Sequence, residues 1–161
     1  MLAGRDKKII SYFLFFGYYA IIISGGILKM PKQTSKNIIV MEDDVAMAEI
    51  VTHKLESSGF AVRHAEDGKQ GLQMISEAIP DLILLDLMMP EVDGFQVLET
   101  IRKSPDKKIA NLAVIVLSNL WSNSDILRVK NLRADDYLVK AYFTPEEILG
   151  KIQAVLDKHK I

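Results

Sequence analysis

Residues 81–94 read DLILLDLMMPEVDG. Four consecutive apolar residues, 82–85, stop at Asp86, and Pro90 and Gly94 mark the stretch after it as a loop. A run that is apolar at every position, and not only at alternate ones, suits a strand buried on both faces. Strands of that kind belong to parallel sheets covered by helices on each side. Working outward, residues 38–41 (IIVM), 114–117 (VIVL) and 137–139 (YLV) show the same continuous apolar pattern, while residues 60–65 are more mixed and read as an edge strand. Helical spacing fills the intervals: Met47, Ile50, Val51 and Leu55 share one face, as do Leu72, Ile75 and Ile79, then Phe95, Leu98 and Ile101. Residues 122–132 are the least patterned of these helices. The last helix carries its own start signal, with Thr144 as cap, Pro145 in the first turn and Glu147 completing a capping box ahead of Ile148, Ile152, Val155 and Leu156. Five strands alternating with five helices predict an α/β fold with one doubly wound five-stranded parallel sheet. In such sheets ligands bind beyond the carboxyl ends of the strands.

The residues at those ends differ in kind from the runs they follow. Glu42, Asp43 and Asp44 follow the first run, Asp86 the third, Ser118 the fourth and Lys140 the fifth. Asp44 is placed to cap the next helix. The other carboxylates repel one another and raise each other's pKa unless a cation lies among them. Hard oxygen donors of this sort suit Mg²⁺, which takes one or two carboxylates together with phosphate oxygens. A lysine and a hydroxyl add the positive charge and hydrogen-bond donor that a transferred phosphoryl group requires.

Composition narrows the alternatives. The 161 residues hold 20 Lys and Arg against 21 Asp and Glu, a formal net charge of -1, so no basic field draws the chain to nucleic acid and protein partners are expected. The absence of cysteine excludes disulfides, thiolate metal sites and cysteine nucleophiles. His53, His64 and His159 have no metal-ligand spacing. Residues 9–28 carry no charge and are flanked by Arg5, Lys7 and Lys8 and by Lys29, Lys32 and Lys36. As a helix this run is just long enough to cross a bilayer. It reads either as a membrane anchor or as a stretch upstream of the true start at Met30, and less well as a signal peptide. Residues 1–36 are therefore set apart as an extension and linker, and residues 37–161 as the domain.

The segments IIVMEDD, DLILLDLMMPEVDG, VIVLSN and ADDYLVK resemble, in order and spacing, the motifs of the response-regulator receiver domains of two-component signalling. The resemblance implies a flavodoxin-like sheet of order 2-1-3-4-5, with Asp86 as phosphoacceptor. Glu42, Asp43, Asp86 and the backbone carbonyl of Met88 would hold Mg²⁺. Ser118 and Lys140 would bind the phosphoryl group, and Tyr137 stands at the aromatic switch position. Met88 and Leu120, two residues beyond the phosphoacceptor and the hydroxyl residue, fall where the lifetime of an aspartyl phosphate is tuned. The implied partners are a histidine kinase or histidine phosphotransfer protein and a downstream protein effector, with no nucleic acid. The implied location is the cytoplasm, with the membrane involved only if the N-terminal extension is translated. The expected protein is a phosphoacceptor and not an enzyme.

Three positions depart from the family pattern: Asn119 where a small residue is usual, Ala141 where proline follows the lysine, and Arg133 where a glycine commonly precedes ADDY. Two other readings are weaker. A phosphatase with an aspartate nucleophile wants a second carboxylate at Met88, and a phosphorylation-independent scaffold would lack one of the acidic or lysine groups that are all present here.

Overall fold

The computed structural model describes residues 35–120 and 122–159 in full, together with the backbone of three strands nearer the N-terminus. The chain forms two compact units, Met1–Thr34 and Ser35–Ile161. In the first, β1 (Ile9–Phe15), β2 (Tyr18–Ile23) and β3 (Gly26–Lys29) make an antiparallel sheet in that order. The uncharged run is thus divided among three strands and does not form the single helix its length suggested. Its composition explains the difference, because isoleucine, tyrosine and phenylalanine lose rotamer freedom in a helix and pack well on a pleated surface. No helix among the described residues is long and apolar enough to cross a membrane. The alternative start at Met30 concerns a residue outside those described.

The second unit is built on β4 (Asn37–Met41), β5 (Ala61–Ala65), β6 (Leu82–Leu85), β7 (Ala113–Ser118) and β8 (Asp136–Val139). All four pairings are parallel and the order is β5-β4-β6-β7-β8, which is 2-1-3-4-5 counted within the unit. Helices α1 (Val45–Ser57), α2 (Gly68–Glu77), α3 (Gly94–Arg102), α4 (Lys107–Ala110), α5 (Asn123–Asn131) and α6 (Pro145–Lys158) connect the strands. Five helices were expected. The sixth, α4, is a single turn capped by Asp106, too short for any periodicity to reveal.

The continuous apolar runs fill two cores, one on each face of the sheet. Ile39, Met41, Ile83, Leu85, Val114 and Val116 pack with Ile75 of α2, Phe95, Leu98 and Ile101 of α3, and Val129 of α5. Their strand neighbours Ile38, Val40, Leu82, Leu84, Ile115 and Leu117 pack with Val51 and Leu55 of α1 and with Ile148, Ile152, Val155 and Leu156 of α6. This division follows from the two-residue period of a strand. The α6 capping box forms as its sequence predicts, Thr144 accepting from the Glu147 N–H while the Glu147 side chain accepts from the Thr144 N–H.

Three details differ from the apolar pattern. Ile50 is exposed, the inward face of α1 being Ala48, Val51 and Leu55, and Ile79 is exposed beyond the end of α2. Strand β8 is the second edge of the sheet and buries only Leu138, although its apolar run reads like that of an interior strand.

Candidate functional site

The parallel register brings the strand ends together. Met41 pairs with Leu85, and past that pair the Asp86 N–H donates to the Met41 carbonyl at 2.9 Å, so Glu42 and Asp86 emerge side by side. Ser118 ends β7 opposite Val139, and Lys140 comes next. Asp86, Glu42 and Ser118 are the three buried polar residues of the described chain. The Lys140 Nζ donates to Asp86 Oδ2 at 2.6 Å and lies 2.6 Å from Glu42 Oε2 and 2.7 Å from Oε1. Carboxylate oxygens of Glu42, Asp43 and Asp86 all lie within 4.8 Å of one another. Two buried carboxylates thus share a single ammonium group, and the exposed Asp43 carboxylate lies close to both.

The electrostatics follow from this arrangement. Burial pushes the Glu42 carboxyl above its ordinary range; the Lys140 hydrogen bond opposes the shift and the Asp86 charge reinforces it. Burial pulls the Lys140 ammonium down, yet its hydrogen bonds to Asp86 and Glu42, with their charges, outweigh this and hold it above the usual lysine value. A net negative cluster of hard oxygens, already drawing one cation, fits Mg²⁺ by donor chemistry.

The surroundings fix these groups. The Met88 N–H donates to Asp86 Oδ1 at 3.2 Å, and the Asp44 N–H donates to Glu42 Oε1 at 3.2 Å. Asp44 also caps α1 through the Met47 N–H, as its position suggested. Gly94 has a different importance from that of a permissive turn residue, since its φ is not positive: a Cβ there would stand 2.1 Å from the Asp86 carbonyl oxygen. The His64 Nε2 donates to the Glu42 carbonyl at 2.7 Å, a contact set by the pairing of Val40 with His64 and invisible in local sequence.

Ser118 lies at the same edge, but its hydroxyl accepts from the Leu120 N–H at 3.4 Å. Tyr137 is half-buried, its hydroxyl donates to the Leu120 carbonyl, and burial, then the Asp125 and Asp86 charges, raise its pKa. Leu120 itself is half-buried and packs against the core, whereas Met88 is exposed. The three departures noted in the sequence are resolved without loss of the site. No cis peptide occurs among the described residues, and the chain after Lys140 makes a 3₁₀ turn, Lys140–Tyr142. Arg133 adopts the left-handed φ of 58° that a glycine would take freely, its carbonyl accepting from Arg102. Asn119 is exposed.

Residues 38–153 match the model of the response regulator receiver domain. The chain belongs to that family. Its receiver domain is 39% identical over 121 residues to the DNA-binding dual master transcriptional regulator RpaA of Synechocystis, covering 75% of this chain and 49% of that protein. It is 36% identical over 127 residues to the response regulator MprA of Mycobacterium ulcerans, covering 79% and 53%. The chain therefore spans about half the length of the curated relatives it matches. Among solved structures, the Francisella response regulator 1452 receiver domain superposes with a TM-score of 0.71 at 31% identity, covering 78% of this chain and all of that one. The chemotaxis response regulator CheY4 of Vibrio cholerae gives 0.69 at 27%, covering 76% and 99%. These are signalling domains of two-component systems and not a family of catalytic enzymes.

Proposed function

We propose that this receiver domain accepts a phosphoryl group on Asp86 from a phosphohistidine of a histidine kinase or phosphotransfer protein. The observation that carries the reading is the Lys140 ammonium set 2.6 Å from Asp86 Oδ2 and 2.6 Å from Glu42 Oε2, with Asp43 completing the acidic cluster. An Asp86 carboxylate oxygen attacks the phosphorus, the P–N bond breaks, and the imidazole nitrogen leaves with the bonding pair. The Met88 N–H orients Asp86 Oδ1. Lys140 offsets the charge on the transferred group, and the Ser118 hydroxyl becomes a donor to it once released from Leu120. Glu42, Asp43, Asp86 and the Met88 carbonyl would hold Mg²⁺, which supplies charge neutralisation of the phosphoryl oxygens when bound.

Phosphorylation is then read by protein contact. Ile126, Leu127 and Tyr142 are exposed apolar residues on α5 and just after β8, and they suit a downstream effector. Both lifetime positions, Met88 and Leu120, are apolar and cannot hold an attacking water by hydrogen bonding, so self-dephosphorylation is slow. A phosphohistidine donor supports a cytoplasmic location for the domain. Residues 1–36 serve as an extension and linker ahead of the receiver domain, residues 37–161.

The test of the main reading is incubation with Mg²⁺ and a phosphodonor. Wild type should acquire an acid-stable, base-labile modification that Asp86→Ala lacks. Label retained in the variant moves the acceptor elsewhere, and no label on wild type favours a scaffold that works without phosphorylation.

A further inference from the structure

We propose that Met88 is a reversible oxidation site through which peroxide shortens the life of the Asp86 phosphate. Methionine oxidation follows exposure of the thioether. Among the described residues Met41 is 1% exposed, Met89 8% and Met88 60%, while Met47 and Met74 are half-buried. Met88 is also joined to the phosphoacceptor: its backbone N–H donates to Asp86 Oδ1 at 3.2 Å, so the side chain springs from the carbon next to an atom that touches Asp86. An oxidant reaches this sulfur through solvent without unfolding the core.

The chemistry balances with hydrogen peroxide as the co-reactant. The thioether sulfur attacks one peroxide oxygen, the O–O bond breaks, the sulfur gives up two electrons to become a sulfoxide, and the other oxygen leaves as water after taking a proton. Thiol-dependent sulfoxide reduction reverses the step. The product puts a strong hydrogen-bond acceptor in place of an apolar group on the residue whose N–H holds Asp86 Oδ1. A sulfoxide oxygen on this flexible, exposed side chain can hold a water for attack on phosphorus, which the thioether cannot do.

The modification itself does not depend on the phosphoacceptor reading, but its effect does, and the experiment separates the two. Full-length protein is treated with hydrogen peroxide and mapped by peptide mass spectrometry. Met88 should oxidise about tenfold faster than Met41 or Met89, as their burial requires. In parallel, protein phosphorylated with acetyl phosphate and Mg²⁺ is freed of donor, and phosphate loss is followed with and without prior peroxide. Wild type should lose phosphate about three to ten times faster after oxidation, the worth of one hydrogen bond. Met88→Leu, compared only with itself, should not respond. Oxidation of Met88 no faster than that of Met41 and Met89 overturns the site, and an equal peroxide response in Met88→Leu, or none in wild type, overturns the effect. Failure of unoxidised wild type to take phosphate from acetyl phosphate and from a phosphohistidine donor alike overturns the phosphoacceptor reading, and the effect with it, while the oxidation rates still decide the site.

Discussion

Replacing Lys140 by methionine leaves a side chain of similar length but removes the one cation shared by two carboxylates. The Lys140 side chain is 11% exposed and its partners Glu42 and Asp86 are 3% and 5% exposed, so this is a buried cluster and not a surface ion pair. Breaking such a cluster from one side costs about 3–5 kcal/mol, because the remaining charges stay desolvated. The lower end applies here, since Asp43 at the mouth is exposed and solvent reaches the cluster. For a domain of about 125 residues the unfolding entropy is roughly 0.26 kcal/mol per kelvin, so a loss of about 3 kcal/mol lowers the midpoint by about 11 °C.

The assay is thermal unfolding by circular dichroism in EDTA and then in Mg²⁺. Magnesium should restore part of the loss, since any ligand bound only by the folded state adds about 1.4 kcal/mol for each tenfold excess over its Kd. The pH dependence has a definite sign. Glu42 already titrates above its ordinary value, and without Lys140 it rises further. A carboxyl raised in the folded state contributes fully below its unfolded pKa of about 4.3, and that contribution is lost as pH rises through the folded pKa. The deficit of the variant should therefore shrink as pH falls from neutrality toward that value. A midpoint change under about 3 °C in EDTA, against the expectation from burial, or a deficit insensitive to both pH and Mg²⁺, would refute the reasoning.

Other substitutions test separate features. Gly94→Ala should cost about 3 kcal/mol, the upper part of the range for overpacking, because the new Cβ would press on the Asp86 carbonyl; urea unfolding and phosphate uptake should both suffer, and a neutral result removes the close approach as the reason for glycine. Arg133→Gly should stabilise by about 0.5–1 kcal/mol, relief of the left-handed φ exceeding the added freedom of the unfolded chain. A lower urea midpoint would show that the Arg133 side chain matters more than its φ. Met88→Asn should hasten phosphate loss by about three to ten times through one new hydrogen bond to water, measured with Mg²⁺ and no kinase; an unchanged or slower rate counts against side-chain polarity as the determinant of lifetime.

The sheet and the site edge were legible because interior strands announce themselves by unbroken apolar runs, and the groups that follow them are chemically unlike their neighbours. The α6 capping box was equally plain, since its signal lies within four residues. What escaped notice lacked a local signature. A three-residue apolar run cannot distinguish an interior strand from the edge strand β8, and the uncharged N-terminal run has the length of a membrane helix but the residues of strands. Ile50 fits the helical period of α1 near its margin, where the angle to the core decides burial, and Ile79 continues the α2 period past the point where the helix ends. The contacts of His64 with Glu42 and of Tyr137 with Leu120 join residues 22 and 17 positions apart and exist only after the sheet is assembled.

The peptide groups of Leu120 are clasped from two sides, the N–H by Ser118 and the carbonyl by Tyr137. One residue therefore ties together the hydroxyl proposed to read the phosphoryl group and the aromatic at the proposed switch position. If Ser118 turns to a phosphoryl group it must release the Leu120 N–H, and if a bound protein draws Tyr137 away it must release the Leu120 carbonyl. Whichever release comes first loosens the segment that the second must move. By thermodynamic reciprocity, if a phosphoryl group on Asp86 strengthens effector binding by some factor, the effector favours the phosphorylated form by the same factor. A partner gripping Tyr137 would thus write to Asp86 as well as read it.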